Sequence, residues 1–489
     1  MRHITNKFIA ITSLSLIFLF TGCNKFLEID PPYAQDAENY FQNPDDYEMA
    51  LIGAYDLLQS SFLSVWIAEI ASDNTIAGGE SVNDSEGLHQ IDAMTHGGVN
   101  VELRNILRWN YAGVTRANFI MENKDNIDFP RKEEIIAEAR FLRAFYYFEL
   151  VKFFGDVPLI IDERLGVDEA SNIPRSPASE VYALIEEDLI AAAAVLPATT
   201  SVKGRATKGA AQSLLGKAYL YQNKFTEAAT ILDEVINSGT YSLINDYANL
   251  FSVVNENNSE TVFDVQYSGL EGGGYGCLVC LEGNAGPGFQ GIRQYNGPIY
   301  GDGNSYNLPT QNLYDAFDAT DPRRDLTILD IDAFIAAQPN AADITYAIGA
   351  GGHTGYYNNK YIKRKSEVGL PDDDLTSPVN YRVIRYADVL LMAAEANYQI
   401  GNIAPAQQYV NQIRSRVGMS SITLNSLEDI YTERRLELAC EGHRFFDLVR
   451  TNKAEVNIDG FQVNKHELFP IPQVELDLTG GNWAQNPGY

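Results

Sequence analysis

Residues 133–154 read EEIIAEARFLRAFYYFELVKFF, a stretch with helical spacing but no continuous polar side. Ile135, Ala139, Leu142 and Tyr146 recur along one stripe, and Phe141, Phe145 and Phe148 along another. A helix apolar on more than one side must be covered on each of them, so it has to be sandwiched between other helices. Gly155 and Pro158 stop it, because glycine admits the turn at a helix end and proline cannot continue the hydrogen-bond ladder. A chain holding such a segment is committed to a layered helical body.

The neighbours it needs are legible. Asn43 is placed to cap a helix over about 44–59, with Met49, Ile52, Tyr55 and Leu58 at helical spacing. A second helix is expected over about 101–123, and a third from Ser176-Pro177 to about Leu196, ended by Pro197. Residues 207–239 fit the tetratricopeptide helix–turn–helix pattern through Leu215-Gly216, Tyr219, Ala228 and Leu232. The pattern returns 178 residues later over 386–418, where Ala394, Ala406, Val410 and Ile413 match Gly216, Ala228, Leu232 and Val235. Small residues at the matched positions allow two helices to cross closely, and shared spacing in both units favours true repeats over unrelated hairpins.

Two stretches break the helical pattern. Residues 73–100 are polar and Gly-rich and read as a long surface loop. Residues 267–306 hold 12 of the chain's 38 glycines and six aromatics, with Gly-Pro and Asn-Gly pairs marking turns. Helix returns over 311–326, and 330–380 is mixed and partly loop. Long loops inserted in a compact body are usually functional.

The N-terminus reads as an address. Arg2 and Lys7 precede an apolar run from Phe8 to Phe20, too short to span a bilayer, and Thr21-Gly22-Cys23 follows. The Cys after Thr-Gly resembles the bacterial lipoprotein signal, in which that thiol is lipidated and becomes the new N-terminus. Phe20 departs from the usual Leu three residues earlier, and ordinary signal cleavage nearby is the alternative. No later stretch reads as long and apolar enough to span. The net charge of −29 argues against a nucleic-acid binder, which needs clustered Lys and Arg, and against a polybasic membrane patch.

Motifs for chemistry are absent or better explained otherwise. Glu433, Glu437 and Glu441 form a stripe near His443, which invites an acid–base or metal reading. Arg434, Arg435, Arg444 and Arg450 stand among them, so a structural ion-pair network is the better account. No HExxH, GxSxG or Gly-Lys-Ser/Thr signature occurs, and Asp302-Gly303-Asn304 lacks the Glu that would complete a calcium loop. No metal and no cofactor is expected. Cys277 and Cys280 form a CxxC without a second pair, consistent with a disulfide or with two free thiols.

The aromatic loop is the sharper hypothesis. A flat ring stacks on the C–H face of a sugar while amides, carboxylates and guanidiniums take its hydroxyls, and Tyr offers both a rigid ring and a polar tip. Tyr275, Phe289, Tyr295, Tyr300 and Tyr306 are interleaved with Arg293 and Asn296, and Asp73-Asn74 opens the loop expected to form the opposite wall. The competing reading is that these aromatics pin a long loop to the core. Trp109 lies just beyond the first loop.

Seven strings in order are similar to the SusD/RagB family of outer-membrane nutrient-binding lipoproteins. They are CNKFLEIDPP at 23–32, EARFLRAFYYFELVKFFGDVPLI at 138–160, TKGAAQSLLGKAYLY at 207–221, YDAFDATDPRRDLTI at 314–328, YRVIRYADVLLMAAEA at 381–396, ERRLELACEGHRFFDLVR at 433–450, and LFPIP with the terminal QNPGY. The resemblance implies a mostly α, SusD-like fold: a tetratricopeptide-like hairpin scaffold with long inserted loops and little β. It implies a signal peptide over 1–22, an N-terminal region over 23–265 and a C-terminal region over 266–489 carrying the binding loops. It further implies a lipid-anchored, surface-exposed, non-catalytic protein that binds an oligosaccharide and passes it to a SusC-like TonB-dependent transporter. A peptide-binding member of the family, a surface glycoside hydrolase and a pure transporter scaffold are the alternatives.

Overall fold

The computed structural model describes residues 40–270, 277, 282–367 and 375–489. The export signal, Cys23 and the tether after it lie outside the described residues. The first helix, α1 (Pro44–Asp56), starts where Asn43 forms a capping box: its side chain accepts from the Asp45 and Asp46 N–H groups while Asp46 accepts from the Asn43 N–H. The face it buries differs from the expected one. Tyr47, Leu51 and Ala54 point inward, whereas Met49 and Ile52 are 58% and 47% exposed. A 3₁₀ turn (Leu57–Ser60) leads into α2 (Ser61–Ile70), a helix the sequence reading missed. Nearly all of its side chains are buried, so it has no polar face to produce a period. Pro44–Ile70 is also long and apolar enough to cross a membrane by length and composition, correcting the expectation that nothing after the signal is; here most of it is buried inside the protein.

Helices α3 (Val101–Glu122), α4 (Lys132–Phe154), α5 (Ala178–Val195), α6 (Lys208–Tyr221) and α7 (Phe225–Asn237) follow. After a long insertion come α8 (Tyr386–Gln399), α9 (Ile403–Arg416), α10 (Leu427–Leu438) and α11 (Arg444–Arg450). The doubly apolar α4 is sandwiched between α3 and α5. The stack then continues pairwise, α5 on α6, α6 on α7, α7 on α8 and α8 on α9. The two tetratricopeptide-like hairpins are therefore direct neighbours although 178 residues separate them. Gly216 shows why the small positions are needed: a Cβ there would lie 2.5 Å from Leu232 Cγ on the facing helix. Phe141 and Phe145 of α4 meet Phe263 edge-on, which fills the core where the insertion departs.

Strand among the described residues is confined to four two-stranded pairs. These are β1 (Thr75–Ala77) with β5 (Asn307–Pro309), β2 (Thr261–Val265) with β8 (Tyr381–Arg385), β3 (Ile292–Arg293) with β4 (Asp302–Gly303), and β6 (Ile328–Asp330) with β7 (Tyr356–Asn358). Only β3–β4 is parallel. The insertion between the repeats leaves and returns through the β2–β8 pair, and it carries a smaller core of its own around Ile292, Leu308, Leu329, Ile331 and Tyr357.

Buried charge ties that insertion to the scaffold. Arg385, at the end of β8, donates to Glu260 at 2.8 Å, Glu437 at 2.5 Å and Glu441 at 2.7 Å. Arg416 and Arg323 also reach Glu437, and Lys360 reaches Glu441 at 2.6 Å. The Glu433–Glu437–Glu441 stripe is thus an ion-pair network, but its partners come from distant elements rather than from the arginines beside it in sequence. Those arginines face other acids: Arg434 meets Asp388 and Asp447, Arg450 meets Glu395, and Arg435 and Arg444 meet Asp73. Burial raises the Glu437 carboxyl, yet Arg416, Arg385 and Arg323 outweigh it and hold it below the usual carboxylate range.

Candidate functional site

Three loops meet on one face of the insertion. The first is 73–100, which the structure resolves into β1 and a short helix, Glu86–Asp92, rather than continuous loop. It pairs with the second through β1–β5, and the contact continues as the N–H groups of Gly78 and Gly79 donate to the carbonyls of Tyr306 and Ser305 at 3.2 and 2.8 Å. The third, 345–355, is woven between them. Asn296 and Thr345 exchange backbone hydrogen bonds, Ala347 N–H donates to Arg293 O, and Ala350 N–H donates to Glu80 O, the last two at 2.8 Å. Backbone packs directly on backbone here, which explains the glycines. A Cβ at Gly349 would lie 1.9 Å from Gly79 O, and one at Gly351 would lie 2.3 Å from Gly78 O. The expected meeting of the 73–100 and 267–306 loops is present, and the 345–355 run joins it unforeseen.

Side chains from this weave make a mixed surface. Tyr306 is half-buried, and its hydroxyl donates to Asp84 Oδ1 at 2.7 Å. Its ring stacks on Phe289 at 5.3 Å and 19°, and both rings meet Trp66 of α2 edge-on. Arg293 pairs with Glu80 at 3.0 Å. Asn296, Gln294 and Asp302 are exposed. Tyr346 is half-buried beside His353, and its hydroxyl donates to Asp332 at 3.0 Å. Burial and the Asp332 carboxylate hold that phenol protonated, raising it to about 12.

The aromatic candidates therefore divide. Tyr295 and Tyr300 are 5% and 6% exposed, turned into the insertion's small core with the Tyr295 hydroxyl donating to Pro298 O. Phe289 is 8% exposed and belongs to the main core. These three pin the loop, the reading the sequence held in competition with ligand contact, because a long loop without regular structure needs its own apolar filling. Tyr306 alone of the described loop candidates keeps part of its ring at the surface; Tyr275 lies outside the described residues. Asp73 and Asn74 do not form an opposite wall. Asp73 receives Arg444 at 2.7 Å, and Asn74, 1% exposed, receives Arg435 at 2.9 Å and donates to Glu69. Trp109 packs near Phe62 at 6.2 Å. Arg364, another cation of the insertion, donates to Asn359 O at 2.8 Å. Tyr346 and His353 went unread because 330–380 has no period, although the Gly-rich run around them was the available signal.

Among the described residues no group of three or more His, Cys, Asp or Glu is placed to hold a metal ion. The Asp302 carboxylate is spent on the N–H groups of Gly303 and Tyr295 at 2.8 and 3.3 Å. Cys277 is disulfide-bonded, whereas Cys440 is a free, buried thiol.

The fold and this face together define a helical-repeat scaffold that carries a loop-built face. A family model described as "Starch-binding associating with outer membrane" matches residues 25–220, and the SusD family model matches residues 221–489. The chain belongs to the SusD family. It is 29% identical to SusD-like protein P2 of Formosa agariphila, over 98% of this chain and 99% of that one. A solved "Laminarin binding SusD-like protein" is 36% identical, with a TM-score of 0.84 over 92% of this chain and 100% of that one. Surface glycan-binding protein A from Bacteroides thetaiotaomicron, solved in complex with laminarihexaose, is 25% identical, with a TM-score of 0.82 over 91% and 99%.

Proposed function

We propose that this chain is a non-catalytic, lipid-anchored protein of the outer-membrane surface that captures an oligosaccharide and hands it to a SusC-like TonB-dependent transporter. The observation that carries the reading is the three-loop weave, which carries the half-buried rings of Tyr306 and Tyr346 and the exposed amides of Gln294 and Asn296. Rings and amides together suit the apolar face and hydroxyl rim of a sugar. Arg293, Asn296 and Tyr306 are the contact residues we assign, with Tyr275 as a further candidate; Phe289, Tyr295 and Tyr300 act by holding the loop. Laminarin is the first ligand to try, because one of the similar solved proteins is a laminarin binder and another is solved with laminarihexaose. A binder fits the paired acids too: Glu437 and Glu441 are each held by buried cations and are not free to move protons. Cys23 is the proposed lipidation site.

The test is affinity electrophoresis on laminarin and a panel of other neutral polysaccharides, with wild type and Tyr306→Ala. Retardation of wild type on at least one gel, lost or reduced about tenfold in the variant, is expected. No retardation on any polysaccharide would refute glycan capture, and release of reducing ends from a bound one would refute the non-catalytic reading.

A further inference from the structure

Away from the weave, α10, α11 and Asn74 enclose a partly open cavity of about 40 Å³. Its wall carries Arg434, Arg435, Arg444 and Lys453 together with the carboxylates of Glu428 and Asp447, and Lys453 pairs with Glu428 at 3.1 Å. Arg434 is matched by Asp388 at 2.5 Å and Asp447 at 2.7 Å. Arg435 and Arg444 instead share the single carboxylate of Asp73, at 3.0 and 2.7 Å. Both guanidiniums are largely buried, and Nη1 of each donates to nothing among the described residues. Burial draws Arg435 down to about 10 against the pull of Asp73, and the charge of Arg444 adds to the effect. A further anion between them would relieve both.

The cavity is larger than the ~10–15 Å³ that a single water requires. It adjoins a groove of about 600 Å³ through the shared walls Glu428, Tyr431, Thr451 and Lys453. That volume falls within the range of ligand clefts, and the groove adds Phe225, the Arg450–Glu395 ion pair and the amides of Asn223, Gln399 and Asn452.

We propose that cavity and groove form a second saccharide site, selective for acidic sugars. A carboxylate or sulfate ester seats against the planar forks of Arg435 and Arg444, which match oxoanion geometry. The sugar body lies along the groove, with Tyr431 and Phe225 as ring faces and the amides on its hydroxyls. This site stands independently of the loop face.

The experiment is calorimetric titration of the full chain with sodium glucuronate and with sodium sulfate, ionic strength held constant with sodium chloride. Saturable binding of at least one is expected, the tighter of the two telling a sugar carboxylate from a sulfate ester. Arg435→Lys keeps the charge but loses the fork and weakens binding about tenfold; Lys453→Gln, at the exposed rim, weakens it several-fold with the fold intact by circular dichroism. Retardation on laminarin stays unchanged in both, so failure here and failure of the loop-face reading are distinguishable. Absence of saturable binding by both anions, or equal affinity in wild type and both variants, overturns the proposal.

Discussion

Gly349→Ala adds one methyl group where the third loop crosses the first. The new Cβ would stand 1.9 Å from Gly79 O, and the next atom it meets is Gly79 C, at 2.9 Å. Both are backbone, so no side-chain rotation relieves the overlap. Restoring an ordinary contact of 3.4 Å requires the two segments to part by about 1.5 Å. That shift takes the Ala350 N–H···O=C Glu80 bond, now 2.8 Å, past any useful hydrogen-bond length. It also strains the Arg293–Glu80 pair at 3.0 Å, whose Glu80 side chain is 73% exposed and which therefore contributes little. A lost backbone hydrogen bond at about 1 kcal/mol and overpacking at about 1–3 kcal/mol give a local cost of roughly 2–4 kcal/mol. The main core is not touched, so the melting temperature should fall by only a few degrees. Hydrogen exchange should instead accelerate at 78–81 and 346–352, and laminarin retardation should weaken with it. Unchanged exchange in both segments would show that the loops do not pack backbone to backbone, and unchanged laminarin retardation with accelerated exchange would move the glycan site elsewhere.

Three further outcomes are expected. Glu437→Gln keeps shape but leaves Arg385, Arg416 and Arg323 facing a neutral group in a buried site, so unfolding in urea should show a loss of about 3–5 kcal/mol. Asp264 is buried and raised by that burial to about 7, against the pull of Arg382. Its folded value lies above the unfolded one, so its contribution is whole below about pH 4 and is lost as pH rises through 7. Asp264→Asn should therefore gain melting temperature relative to wild type at pH 8 and not at pH 4, and an equal shift at both would refute the assignment. Cys23→Ala should move the mature protein from the membrane pellet to the soluble fraction, and retention in the pellet would argue against the lipid anchor.

Helix ends were legible because their causes are local. Asn43 caps at Pro44, Gly155 with φ +69° stops α4, and Pro177 precedes α5, each acting within a turn. The sandwich around α4 was legible because a helix without a polar side admits no other environment. Local signals failed where nearly every residue is buried, as in α2, and where two apolar stripes compete, as in α1, because the partner decides which stripe turns inward. The site divided in the same way. The composition of 267–306 marked an inserted, non-helical segment, but it could not separate Tyr306 at the surface from Tyr295 and Tyr300 in the small core, since that depends on Ile344 and Tyr357 arriving from the far side of the insertion.

The chain's pattern thus sufficed for a mostly helical body of repeated hairpins with loops between them, since spacing, capping and small crossing positions are properties of a few neighbouring residues. Only the tertiary structure set the two repeats side by side, matched Glu437 to Arg323, Arg385 and Arg416, and diverted Asp73 from a binding wall to the shared partner of Arg435 and Arg444. Those pairings join residues tens to hundreds of positions apart, and burial makes each charge depend on whichever opposite charge the fold delivers, a choice no local pattern encodes.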